Sequence, residues 1–262
     1  MLPTITVFDK TIAMYGLMIA LGILIGVFIA VQRCKKYNFS KEDVIFSSCY
    51  AGIGLILGAK ILYILTILPV FIDNWNALIT DINHLFLLLS GGFVFYGGFL
   101  GAIIGFLIYA KQYHLNFINL LDLIAPSIPI IHGFGRIGCF FAGCCYGIPY
   151  EGPFHIIFEH SPIAPNGTPL FPVQLLESIC NLIAGGLLIL YAKPTRRPGK
   201  VLGLYTIYYT VFRFTFEFLR GDALRGIFLN LSTSQWISLA ILPLGLYLFF
   251  GTDLIKVKNY EK

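Results

Sequence analysis

Long apolar stretches alternate with short polar connections along the whole chain. Seven such stretches can be delimited, at 12–32, 43–68, 86–110, 116–140, 172–192, 201–219 and 234–250. A bilayer core about 30 Å thick is crossed by about 20 helical residues, so each stretch is long enough to span one. None shows the sustained two-residue alternation of a lipid-facing strand, and backbone groups in lipid must then be satisfied within helices. The pattern predicts an all-α integral membrane protein of seven transmembrane helices, a single domain over 1–262. The first stretch is longer than a signal-peptide core, has no small-residue cleavage site and carries its basic cluster behind it, so it is predicted to remain as a helix. The polar connection at 146–171 holds Pro149, Pro153, Pro162, Pro165 and Pro169. It is predicted to form a small loop cap.

Composition strengthens this reading. Hydrophobic residues make up 57% of the chain and charged ones 12%, about half the charged fraction of soluble domains. The distribution of basic residues sets the orientation. Arg33, Lys35, Lys36, Lys41, Lys111, Lys193, Arg196, Arg197 and Lys200 all fall in alternate connections, with Lys256, Lys258 and Lys262 in the tail. The positive-inside rule makes that side cytoplasmic, which places the N-terminus outside, the C-terminus inside and the 146–171 loop outside. The net charge of +5 is thereby a topology signal and gives no case for nucleic acid.

The chemistry concentrates in His132–Gly147, which holds five glycines, Cys139, Cys144, Cys145 and Arg136. An arginine at hydrocarbon depth costs about 2.5–3.5 kcal/mol on insertion scales, so one kept there has a task. Gly133-Phe134-Gly135-Arg136-Ile137-Gly138 spells G-x-G-x-x-G, with Glu159 downstream. A dinucleotide site needs those glycines between a strand and a helix, in surroundings unlike these, and the nucleotide reading is set aside. Lys60, Asp122, Glu177, Arg213 and Glu217 also fall in predicted spans, where charges pair with one another or face a cavity. Arg213 and Glu217 are one turn apart on one face, with Tyr209 a turn earlier, so Glu217 is placed to orient Arg213. Arg220 and Asp222 continue that line to the surface. Two guanidiniums near one leaflet suit a phosphodiester, which they can grip bidentately. Gly97 and Gly98, after Tyr96, suit a close helix contact, and Tyr96 could equally point its hydroxyl into the cavity. Cys34, Cys49 and Cys180 are scattered among the spans. Cys139, Cys144 and Cys145 form C-x4-C-C, which matches no common zinc pattern, so no metal is assigned; a disulfide or reactive thiolates beside Arg136 stay open.

With these residues in view, the chain resembles the prolipoprotein diacylglyceryl transferases, bacterial seven-span enzymes, over nearly its whole length. The family pattern G-R-x-G-N-F-x-N-x-E-x-x-G aligns with Gly135 to Gly147, D-x-x-A-P with Asp122 to Pro126, and P-x-Q-L-x-E with Pro172 to Glu177. Tyr209, Arg213, Glu217 and Arg220 fall on Y-x3-R-x3-E-x2-R, and Tyr15-Gly16 and Gln235 also fit. Tyr96 stands where the family has a histidine before two glycines, and Cys139, Ala142 and Cys144 replace two asparagines and a glutamate.

The resemblance implies a transferase of the bacterial cytoplasmic membrane that moves the diacylglyceryl group of phosphatidylglycerol onto a lipobox cysteine and releases glycerol phosphate, without a cofactor. It implies catalytic roles for Arg136, Arg213, Tyr96 and Tyr209. Substrate contacts would come from the two arginines with Tyr15, Gly97, Gly98, Gly135, Gly138, Glu177, Glu217 and Arg220. The alternative is a paralogue that uses Cys139, Cys144 and Cys145 itself, for lipid transfer or thiol redox chemistry.

Overall fold

A computed structural model describes residues 4–7, 10–73, 91–193, 197–222 and 226–251. A hairpin of β1 (Thr4–Val7) and β2 (Lys10–Ala13), unforeseen in the sequence, leads into α1 (Met14–Arg33). There follow α2 (Lys41–Asp73), α3 (Phe95–Gln112), α4 (Phe117–Ile124) and α5 (Ser127–Ala142). A cap containing β3 (Ile156–Ile157) and β4 (Pro169–Leu170) precedes α6 (Val173–Tyr191) and α7 (Lys200–Phe216). The small hairpin β5 (Ile227–Phe228) and β6 (Leu231–Ser232) then starts α8 (Thr233–Phe250).

Each predicted stretch contains helix, although the third before residue 91 lies outside the described residues. Among the described residues α1, α2, α6 and α8 are long and apolar enough to cross a membrane, and α4 with α5 makes a fifth candidate. The stretch at 116–140 is not one straight helix. It bends by 44° between α4 and α5, where Pro126 lacks an N–H and disfavours helical geometry at Ala125.

Burial in α6 is the reverse of a soluble helix. Gln174, Glu177, Ser178 and Asn181 are buried, whereas Leu187 and Leu190 are 61% and 75% exposed. A polar stripe inside and an apolar face outside is the arrangement lipid selects.

The chain forms two compact units. The first comprises 1–38 and 118–262. In it α5 packs on α1 and α6, and α7 packs on α8. Ser127 at the start of α5 donates to the Gly26 carbonyl of α1 at 2.7 Å. Asp122, in α4, accepts the backbone N–H groups of Gly199 and Leu202 at 2.7 and 2.8 Å, supplying from another helix the cap that the start of α7 needs. Arg33, counted above among the loop charges, is buried and donates to the Leu123 carbonyl at 2.8 Å. The start of α8 is fixed by Ser232 and Gln235 in a reciprocal capping box.

The cap has its own small core of Phe158, Ala164 and Leu170. It is laced to the segment after α7 by Gly221 N–H to Tyr146 O at 2.9 Å and Ile148 N–H to Leu219 O at 3.1 Å.

The second unit, 39–117, is the α2–α3 pair. Gly54 faces Gly101 and Gly58 faces Gly97 so closely that a Cβ at any of them would strike the opposing carbonyl. Only glycine allows backbones that near. Lys60 donates to the Gly91 carbonyl at 2.9 Å and lies over the Tyr63 and Phe93 rings.

Candidate active site

The site grows from the second half of α5. Its helical period puts His132, Arg136 and Cys139 on neighbouring positions of one face, and Arg136 and Cys139 are buried there. Glu177, on the polar stripe of α6, is 1% exposed. It forms a very close ion pair with Arg136 Nε and a longer one, 3.8 Å, with Arg213 Nη1. Arg213 Nη2 meets Glu217 at 2.8 Å, the predicted pairing one turn on, and donates to Ser234 Oγ of α8 at 3.2 Å. Two arginines and two carboxylates from α5, α6, α7 and the turn after it thus share one buried network of balanced charge. Removing one partner of such a set leaves an uncompensated buried charge, which costs about 3–5 kcal/mol.

Arg136 Nε, Arg213 Nη1 and both Glu177 oxygens are buried without an aligned hydrogen bond. They meet one another as ion pairs whose geometry is not that of aligned hydrogen bonds. A buried polar group without a hydrogen-bond partner is expensive and points to a ligand or a role in chemistry.

Aromatic groups surround the arginines. The His132 ring lies 5.7 Å from Tyr209, which in turn lies 6.0 Å from Tyr205. Gly138 lets α1 approach, since a Cβ there would sit 3.2 Å from the Tyr15 backbone and ring. Gly135 opens onto free space.

Beyond Ala142 the chain turns sharply. Gly143 and Cys145 both take the left-handed conformation, with φ of 68° and 56°. This folds Cys144 and Cys145 back toward Cys139, and the three sulfurs lie within 4.8 Å of one another. Gln174, buried on α6, donates to the Cys144 carbonyl at 3.0 Å and fixes the turn. All three thiols are free, so the disulfide considered from the sequence is not formed. The Cys145 thiol is held below its ordinary pKa by its interactions with the Cys139 and Cys144 thiols, and the Arg220 and Arg136 charges favour its thiolate; the Cys144 thiol itself donates to the Cys139 carbonyl at 3.7 Å. Arg220 itself is clamped by both carboxylate oxygens of Asp222, at 3.1 and 2.7 Å.

The structure brings together most of the predicted site: Arg136, Arg213, Glu177, Glu217 and Tyr209, with Tyr15 and Gly138 packed beside them. Arg220 joins through its charge on Cys145. Tyr96, Gly97 and Gly98 belong to the α2–α3 unit, where the two glycines pack against Gly58 and Leu55 and Tyr96 is 40% exposed. Gly133 to Gly138 lie inside one helix, not at a strand–helix turn, which removes the dinucleotide reading. Two participants escaped the sequence reading. Ser234 carries no local signal; the meeting of three sulfurs depends on two left-handed residues that C-x4-C-C spacing does not reveal.

A model of the family described as prolipoprotein diacylglyceryl transferase matches residues 3–251. The chain is 42% identical over 236 residues to a phosphatidylglycerol–prolipoprotein diacylglyceryl transferase of Clostridium tetani, covering 90% of this chain and 91% of that one. It is 36% identical to a second protein of that name, numbered 2, from Clostridium perfringens, covering 93% and 92%. A relative of the same name from Teredinibacter turnerae is 32% identical, covering 95% and 87%.

Proposed function

Because the chain belongs to the prolipoprotein diacylglyceryl transferase family, we propose that it transfers the diacylglyceryl group of phosphatidylglycerol to the thiol of a lipobox cysteine and releases glycerol phosphate. The observation that carries this reading is the pair of buried guanidiniums from two different helices converging on Glu177. In the reaction a thiolate attacks a glyceryl carbon whose leaving group is a phosphate. The C–S bond forms as the C–O bond breaks, and negative charge gathers on the departing oxygen. Arg136 and Arg213 are the groups to stabilise it, in a dry site where one such donor is worth about 2.7–4 kcal/mol.

Glu177 and Glu217 keep the arginines charged and aimed while the site is empty, so the substrate phosphate meets donors already desolvated and oriented. Tyr209 and Tyr15 line the approach, and Gly135 leaves room for the headgroup. Arg220 and the cap guard the outer mouth. The chain crosses the bacterial cytoplasmic membrane seven times, N-terminus outside, so the site opens where both phosphatidylglycerol and secreted prolipoproteins arrive. The relatives' shared activity favours this over a paralogue that carries lipid on its own cysteines.

The test is replacement in a bacterium depleted of its own diacylglyceryl transferase. Growth and lipid-modified prolipoprotein, seen as one added diacylglyceryl mass, are expected. Unmodified prolipoprotein despite normal expression of this chain would overturn the reading.

A further inference from the structure

Cys139, Cys144 and Cys145 present three sulfurs within 4.8 Å of one another, and none of the three is in a disulfide. Cys139 is buried at the end of α5, and the other two are half-buried. The arrangement is built. It needs a left-handed residue at Gly143 and a second at Cys145, a conformation that a side-chain-bearing residue adopts rarely. It also needs Gln174 to hold the Cys144 carbonyl. Thiols that converge in this way are the donor set for thiophilic d10 cations.

A zinc–sulfur bond of about 2.3 Å puts tetrahedral sulfurs about 3.8 Å apart, and the three sulfurs already lie within 4.8 Å of one another. Three thiolates around a divalent ion carry one net negative charge. Arg136 and Arg220 are near enough for their charges to act on Cys145, and they offset it.

Three protein ligands leave the fourth tetrahedral position open, the mark of a catalytic and not a structural site. We propose that Cys139, Cys144 and Cys145 bind one Zn2+-class cation whose open position takes the incoming substrate thiol. This rests on the S-alkylation proposed above. A coordinated thiol loses its proton outright, here to bulk water at the outer mouth. The metal-held thiolate then attacks the glyceryl carbon. The C–S bond forms, the C–O bond breaks with its electron pair going to the phosphate oxygen, and the thioether, a weaker donor than thiolate, leaves the metal. No oxidant or reductant enters. The cluster thus supplies the thiol activation that the arginine network, which acts on the leaving group, does not.

The test titrates the full-length chain, purified in detergent under reducing conditions, with Cd2+, and reads the ultraviolet thiolate-to-cadmium charge-transfer band. Saturation at one ion per chain is expected. Cys139→Ser, Cys144→Ser and Cys145→Ser should each weaken binding at least tenfold, and the joint Cys34→Ser, Cys49→Ser, Cys180→Ser variant should not. A lipobox peptide should then perturb the band, and its Cys→Ser version should not. Should a variant fail to fold, protection of Cys144 and Cys145 from alkylation by Zn2+ in the unaltered chain, mapped by mass spectrometry, gives the same answer. A band that never saturates, that survives loss of the three cysteines, or that ignores the peptide thiol overturns the proposal. Transfer measured in parallel separates the two readings: a perturbed band with no transfer contradicts the function and leaves the metal site standing.

Discussion

Arg136 and Arg213 are buried and converge on the one carboxylate of Glu177. If both hold the leaving phosphate, Arg136→Ala and Arg213→Ala should each lower turnover by about 10²–10³-fold, the loss seen when one oxyanion donor is removed. Lysine at either position should restore only part, because it keeps charge but not the planar fork. Turnover of purified variants with lipobox peptide checks this, and an alanine variant at full activity would remove that arginine from the chemistry. Asp122 makes the contrasting case. It lies in a family motif yet spends its carboxylate on two backbone N–H groups of the α7 start. Asp122→Asn should therefore cost about 1 kcal/mol of stability, the scale of a lost cap. That would appear as a lower thermal midpoint in detergent, with activity per folded molecule kept.

At the scale of elements the α2–α3 contact is the sharpest constraint. A Cβ on Gly101 would lie 2.0 Å from the Gly54 carbonyl, and one on Gly52 would meet nothing within 4 Å. Gly101→Ala should push the helices apart at a cost of about 1–3 kcal/mol, whereas Gly52→Ala should be neutral or stabilising. The yield of monodisperse protein after mild heating distinguishes them.

The helices themselves were legible because hydropathy is local: seven apolar stretches each hold helix. The i,i+4 spacing of Arg213 and Glu217 also sufficed to anticipate their pairing, found at 2.8 Å. What was not legible depends on backbone angles and long-range contacts. The bend at Pro126 splits a stretch that reads as uniformly apolar. The left-handed Cys145 turns an unpromising cysteine spacing into a cluster. Ser234 reaches Arg213 only because α8 packs on α7.

For the whole molecule, orientation is the claim most open to direct test. Cys34, in the first basic connection, is fully buried and makes a poor reporter. Its neighbour Lys35 is exposed, as is Glu159 in the cap. In a background lacking the native cysteines, Glu159→Cys should react with an impermeant maleimide on intact cells, and Lys35→Cys only after permeabilisation. The reverse pattern would invert the topology drawn from the basic residues.

The central claim, that this membrane chain alkylates a substrate thiol with a phospholipid's diacylglyceryl group, is tested most directly by reconstitution. Purified protein is incubated with phosphatidylglycerol and a peptide bearing a lipobox cysteine, and the peptide, the released glycerol phosphate and the intact protein are followed by mass spectrometry. One diacylglyceryl group gained per peptide, one glycerol phosphate released with it, and no gain on a Cys→Ser peptide is the expected result. Diacylglyceryl mass appearing on the protein's own cysteines, or glycerol phosphate released without peptide modification, would contradict it.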